Sequence, residues 1–216
     1  MQSGPVLAPS SCMETTSIHR IIEQHAAAHG EAPALLDDGR TLTYRDLNQR
    51  ANSVARCLLA HGFRRGSTAL INMPRSFDLA VMCLGVLKAG GAYAWLDCDP
   101  SWPHGISIPQ RDGAGDELKV LAIDVTGAIA APAQSSANLP ILTRGTDIAC
   151  VIGGLDPRSV LVPHSTVTAL LAKPVPLQTP WSDDSGALDL WVGLMAGATV
   201  TMAPGLAQTG AQLTAA

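Results

Sequence analysis

Aromatic residues are scarce in this 216-residue chain: Phe, Trp and Tyr make up only 4%, while 47% of residues are apolar. Any core must therefore be filled mainly by Leu, Val, Ile and Ala. Charge is also sparse, at 15%, with a formal net charge of −4 and no run of Lys or Arg. Nucleic acid and anionic membranes need clustered cations, so no nucleic-acid partner is expected. No apolar run reaches the roughly 18–20 residues of a membrane helix. The opening "MQSGPVLAPSSCME" has neither a basic nor a long apolar region of the kind that directs export. These absences predict no membrane partner and a cytoplasmic location. The five cysteines, Cys12, Cys57, Cys83, Cys98 and Cys150, are odd in number and form no CxxC pair. Reduced thiols are the expectation. There is no HExxH metal motif and no G-x-S-x-G nucleophile elbow, so no metal site and no serine-hydrolase chemistry is expected.

What is present is an alternation of helical and extended patterns. Residues 1–16 are Pro/Ser/Thr-rich and read as a flexible lead-in. In "SIHRIIEQHAAAHG" Ile18, Ile21, Ile22, His25 and Ala26 share a helical face, with Gly30 as the stop. "APALLDDGRTLTY" reads as a hairpin around an Asp-Asp-Gly turn. "TYRDLNQRANSVARCLLAHG" is the clearest helix, capped by Thr43 with Asp46 three residues on, and carrying Leu47, Ala51, Val54, Ala55, Leu58 and Leu59 at helical spacing. "STALINM", "SFDLAVMCLGVLKAGG" and "AYAWLD" then give strand, helix and strand, a right-handed parallel crossover.

Beyond Pro100 the pattern weakens. "PHGISIPQRDGAG" has the length of a helix, but Gly105, Pro109 and Gly113 fall inside it, so an irregular segment is predicted. Strands are predicted at 118–125 and 147–152, with a loop over 126–146 between them. "SVLVPHSTVTALLA" predicts a short strand and a helix capped near Ser165; "SGALDLWVGLMAG" a further helix; "ATVTMAP" a last strand. The tail at 205–216 has few large apolar residues and is expected to be poorly ordered. The expected class is α/β, with a mostly parallel sheet and flanking helices.

Several stretches, in order over residues 17–204, resemble the N-terminal part of the adenylation domain of nonribosomal peptide synthetases, in the AMP-binding, adenylate-forming superfamily. "LTYRDLNQRANSVARCLLAHG" is similar to that family's first core motif and "LGVLKAGGAYAWLDCDPSWP" to its second. "DIACVI…PRSVLVPH" resembles the third, and "LQTPWSDDSGALDLWVGLMAGATV" the fourth. The resemblance implies a partial, incomplete adenylation-type domain. It also implies binding of ATP with Mg²⁺, activation of an amino acid as its adenylate, and peptide-synthetase subunits as partners.

The departures fall on the chemistry. The family's third motif carries Ser, Thr and Gly residues that hold the β- and γ-phosphates. Here only Gly153, Gly154, Leu155 and Asp156 separate Ile152 from Pro157, a shorter run than the family's. Its hydroxyls are absent, Asp156 adds a carboxylate, Arg158 stands for the Lys and Ser159 for a Gly. A hydroxyl- and amide-rich loop attracts phosphate, and a shortened one bearing an acid repels it. Gly153, Gly154 and Arg158 are the candidate remnants of the nucleotide site, with turn glycines and a solvated arginine as their plainer readings. His164 also matches a family position, with a strand-end role favoured. In the fourth motif, Asp184 falls where the family binds the substrate's ammonium group, while Asp183 and Leu188 replace aromatic residues. An Asp-Asp-Ser helix start is the plainer reading there. The chain stops at Ala216, before the family's later motifs and its catalytic lysine, and no carrier-type GGxS serine is present. No catalytic residue is assigned, no bound cofactor is expected, and self-association through an incomplete sheet edge is.

Overall fold

The computed structural model describes residues 17–37, 39–96, 99, 101, 103–111, 118–130, 137–140, 143–153, 159–173, 175, 178–181 and 186–202. The expected lead-in at 1–16 and tail at 205–216 lie outside them.

The chain opens with helix α1 (Ile18–Ala28) and the hairpin β1 (Pro33–Asp37) and β2 (Arg40–Thr43). Helix α2 (Tyr44–Ala60) follows, with the Thr43 hydroxyl accepting the Asp46 amide at 3.1 Å. Strand β3 (Thr68–Asn72), helix α3 (Phe77–Lys88) and strand β4 (Ala92–Trp95) form the expected parallel crossover, and the Ser76 hydroxyl caps α3 through the Leu79 amide. After these come β5 (Gly105–Arg111), β6 (Leu118–Ile123), α4 (Thr126–Ala130), β7 (Ile148–Ile152), β8 (Val160–Pro163) and α5 (His164–Ala169). A 3-10 turn at Leu170–Ala172 leads to β9 (Gln178–Trp181), α6 (Gly186–Met195) and β10 (Thr199–Met202).

The strands form two sheets, one ordered β2-β1-β10-β9 and the other β6-β5-β3-β4-β7-β8. Among the described strands, four ladders are parallel and four antiparallel, so both sheets are mixed. Helices α2 and α6 pack on the four-stranded sheet, α3 packs on the six-stranded one, and α2 packs on α3. The core fills that helical layer with Leu47, Val54, Leu58, Leu84, Leu87 and Trp191, all fully buried. The α2–α3 crossing requires Gly85: a Cβ there would lie 2.5 Å from Val54 Cγ1. Trp191 Nε1 donates to Tyr93 Oη at 2.7 Å and so ties α6 to β4.

Four departures from the sequence reading have local causes. The segment expected to be irregular forms β5, an internal strand. Its ladder with β3 covers only Gly105–Ser107, so Pro109 lies beyond it, where its missing N–H is tolerated. The predicted loop after residue 125 begins with the short helix α4, nucleated by the Asp124 carboxylate accepting the Thr126 amide at 2.9 Å. Strand β9 is not among the predicted strands; Pro180 lies within it, and as an edge strand β9 accommodates the proline. Helix α5 begins at His164, one residue before the expected cap at Ser165. The amides of His164 and Ser165 are taken by Asp147 and Gly145 carbonyls, and no side chain caps the helix.

Candidate functional site

The segment resembling the phosphate loop joins β7 to β8, an antiparallel pair in which Ile152 faces Val160. Gly153 ends β7 at φ 92°, the left-handed region that glycine enters without strain. A Cβ on Gly153 would stand 3.5 Å from Ser159 Cα, so the two feet of the connection are close together. Gly154, Asp156 and Arg158 lie outside the described residues, as do Asp183 and Asp184.

The hairpin sits where an α/β fold places ligands. Strands β3, β4 and β7 run parallel, so Gly153 lies at the same carboxyl edge as the turns after β3 and β4. Those turns are locked together. Trp95 Nε1 donates to the Met73 carbonyl at 2.8 Å, Asn72 Nδ2 donates to the Asp99 carbonyl at 2.8 Å, and the Arg75 guanidinium lies 4.9 Å from the Trp95 ring centre. In the sequence alone neither Trp95 nor Arg75 stands out as a functional residue.

His164, at the end of β8, is fully buried. Its Nδ1 accepts the Ile18 amide at 3.2 Å, which leaves the ring proton on Nε2. Nε2 has no partner among the described residues. The ring meets His19 edge to face, with centres 5.9 Å apart. His19 Nε2 lies near the hydroxyls of Ser17 (3.3 Å) and Thr143 (3.4 Å), and its Nδ1 is unpartnered among the described residues. Burial holds both rings neutral. It lowers the pKa of His19 to about 3, helped by His164, Lys88 and Arg20, and that of His164 to about 4 against the opposing pull of Asp147. His164 thus fastens α1 to the start of α5, a structural task consistent with its plainer reading.

The end of the fourth motif is held from the other side. Helix α5 packs on α6, and the α6–β10 turn is gripped by two side chains from the N-terminal region. Tyr44 Oη shares its proton between the carbonyls of Leu194 (2.9 Å) and Ala198 (2.8 Å), and His25 Nε2 lies 2.8 Å from the Met195 carbonyl. That contact occupies His25, which stands four residues from His29 on α1. No group of three or more metal-ligating side chains occurs among the described residues.

Comparison with known proteins follows the same outline. Residues 22–104 match the model of the AMP-binding enzyme family. Bacitracin synthase 1 of Bacillus licheniformis is 29% identical over 213 residues, covering 86% of this chain. Surfactin synthase subunit 3 of Bacillus subtilis is 41% identical over 96 residues, or 44% of this chain. The N-terminal subdomain of Klebsiella oxytoca NpsA superposes with a TM-score of 0.67 over 88% of this chain and 55% of that one. This chain is similar to the N-terminal part of adenylation domains of the AMP-binding enzyme family. The fold match to NpsA comes at 21% identity, and a second, to the nonribosomal peptide synthetase FmoA3, has a TM-score of 0.70 at 20% identity over 88% of this chain and 24% of that one. Both speak to the fold alone. The adenylation-type chain spans only 4% of bacitracin synthase 1 and 7% of surfactin synthase subunit 3, and it corresponds to the N-terminal part of the adenylation domain. No helix among the described residues is long and apolar enough to cross a membrane.

Proposed function

We propose that this chain is an adenylation-type framework that does not by itself activate an amino acid. The observation that carries the reading is the β7–β8 connection. Its feet close within one contact distance, and the side chains standing there, Ile152, Val160 and Leu161, are aliphatic and exposed. A triphosphate with Mg²⁺ needs converging amides, several hydroxyls and a cation; of the side chains at these feet only Ser159 carries a hydroxyl, and the others are aliphatic. Within the loop, Asp156 opposes the one cation, Arg158. The residues present do not fit ATP and Mg²⁺, whatever amino acid Asp184 could have oriented. The purified chain is expected to give no ATP–pyrophosphate exchange with any amino acid. Exchange that disappears in Arg158→Ala would overturn the reading.

A second role is favoured by the same exposed residues. Val160 and Leu161 are 59% and 61% exposed on β8, the edge strand of the six-stranded sheet, with Ile152 beside them at 40%. An apolar edge with unpaired backbone groups invites strand addition. Peptide-synthetase subunits, a complementary half of the adenylation site supplied in trans, or a second copy of this chain would each supply such a strand. Sedimentation of the chain alone and with a synthetase subunit measures this directly. Leu161→Lys is expected to weaken any association by about tenfold or more, since burying a lysine at a strand edge is costly. Monodisperse behaviour with no partner captured would remove the docking role and leave the first reading standing.

A further inference from the structure

A cleft of about 700 Å³ opens at the β5–β6 end of the six-stranded sheet, three strands away from the β7–β8 hairpin. It is formed by α2, α3 and α4 together with β5, β6 and the turn after β3. Its floor is aliphatic and thioether: Met73, Met82, Ile106, Ile123, Val125 and Ile129. The buried faces of these residues define a surface that water leaves readily, in the size range of small-molecule sites. Four titratable groups stand around it: Arg50 from α2, Asp78 from α3, His104 ahead of β5, and Asp124 ahead of α4.

The acids and the arginine differ in what already answers their charge. Asp124 accepts the Thr126 amide, a bond that holds its carboxyl below the usual range. Asp78 lies in the first turn of the twelve-residue α3, where the helix's free N–H groups offset a negative charge. Arg50 is half-buried and has no hydrogen-bond, ion-pair or ring partner among the described residues. A guanidinium at the rim of an apolar floor, unmatched while both neighbouring acids are met, selects an anion. We propose that this cleft binds a small amphiphile whose apolar tail lies on the Met73–Met82 floor and whose anionic head pairs with Arg50. The head is a carboxylate or a phosphate monoester, both of which match the planar fork of the guanidinium. The site is independent of the nucleotide loop, and its occupancy does not depend on whether that loop binds ATP.

The test uses the chain labelled with ¹³C-methyl methionine, titrated with octanoate, octyl phosphate and octylammonium. Octanoate or octyl phosphate is expected to shift the methyl signals of Met73 and Met82 and leave Met195, buried on α6, in place. The tighter of the two anions identifies the head group. Octylammonium, with the same tail, is expected to bind at least about tenfold more weakly, the factor carried by one charge-assisted pair. Arg50→Gln should erase that preference without moving the thermal midpoint, and Arg50→Lys should retain part of it. Equal binding of octanoate and octylammonium by the unaltered chain would overturn the proposal without reference to any variant. So would a preference that survives in Arg50→Gln, or shifts that spread to Met195.

Discussion

The N-terminal region, from α1 to β4, and the C-terminal region, from β5 to β10, are held by different means. In the first, α2 and α3 have hydroxyl caps on their own first turns, and α3 brings a lysine into a buried ion pair with α1. In the second, α5 has no side-chain cap and borrows carbonyls from the preceding loop, and the ion pair of Arg65 with Asp147 reaches back to the first region and is partly exposed. Helices α2 and α3 are specified by local chemistry, as is the short α4 through Asp124. Helix α5 takes its form from what it docks against.

The ion pairs give that comparison its largest expected effect. Lys88 and Glu23 have side chains only 1% and 12% exposed, and burial draws the lysine pKa down to about 8 despite the glutamate beside it. Lys88→Ala leaves a buried carboxylate unanswered, so a loss of about 3–5 kcal/mol is expected in urea unfolding. Arg65→Ala breaks a bidentate but exposed pair, with side chains 43% and 27% accessible, and should cost less than about 1 kcal/mol. Equal costs would dissolve the distinction.

The response to acid tests the junction of the two regions. His19 and His164 have folded pKa values below the unfolded value of 6.5, so the unfolded chain binds more protons between pH 6.5 and about 3–4. Their contribution is complete above pH 6.5 and is lost as pH falls through that window. The slope is at most about 1.4 kcal/mol per pH unit for each histidine. Unfolding midpoints measured from pH 7 to pH 4 should show this fall, and His19→Gln should roughly halve it. A flat profile would mean that the two rings are hydrated, and the junction open.

A smaller effect belongs to the α2–α3 crossing. Gly85→Ala places a methyl against Val54 Cγ1 and the Ala51 carbonyl, and overpacking of this kind costs about 1–3 kcal/mol. Gly153→Ala meets only ordinary contact distances, and its penalty of about 1 kcal/mol would come from the positive φ alone. Thermal melts of the two variants rank packing against backbone conformation.

These differences also explain what could be read from the amino acids beforehand. Thr43, Ser76 and the apolar stripes of α2 and α3 act within a few residues of themselves, so their meaning was visible in the string. Strand β5 was hidden because Pro109 and Gly105 argue locally against order, and only the short reach of its β3 ladder makes the proline harmless. Strand β9, with Pro180 within it, was not among the predicted strands either, and its edge position makes that proline harmless. The family was legible from motif order, and the candidate Gly153 falls at the strand edge expected of a ligand loop. Partners far apart in sequence, such as His19 with His164 or Arg50 with the β5–β6 floor, leave no periodic trace.

The smallest effect tests the caps themselves. Thr43 accepts the Asp46 amide, and Thr43→Ala removes that acceptor at the start of a seventeen-residue helix. A loss of about 1 kcal/mol is expected. Ser165, at the site the sequence marked as the cap of α5, has its amide bonded to Gly145, and the helix begins before it. Ser165→Ala should therefore change stability by less than about 0.5 kcal/mol, the range of substitutions that break no specific contact. Were Ser165→Ala to cost as much as Thr43→Ala, α5 would be capped by its own side chains after all. It would then be specified locally, as α2 and α3 are.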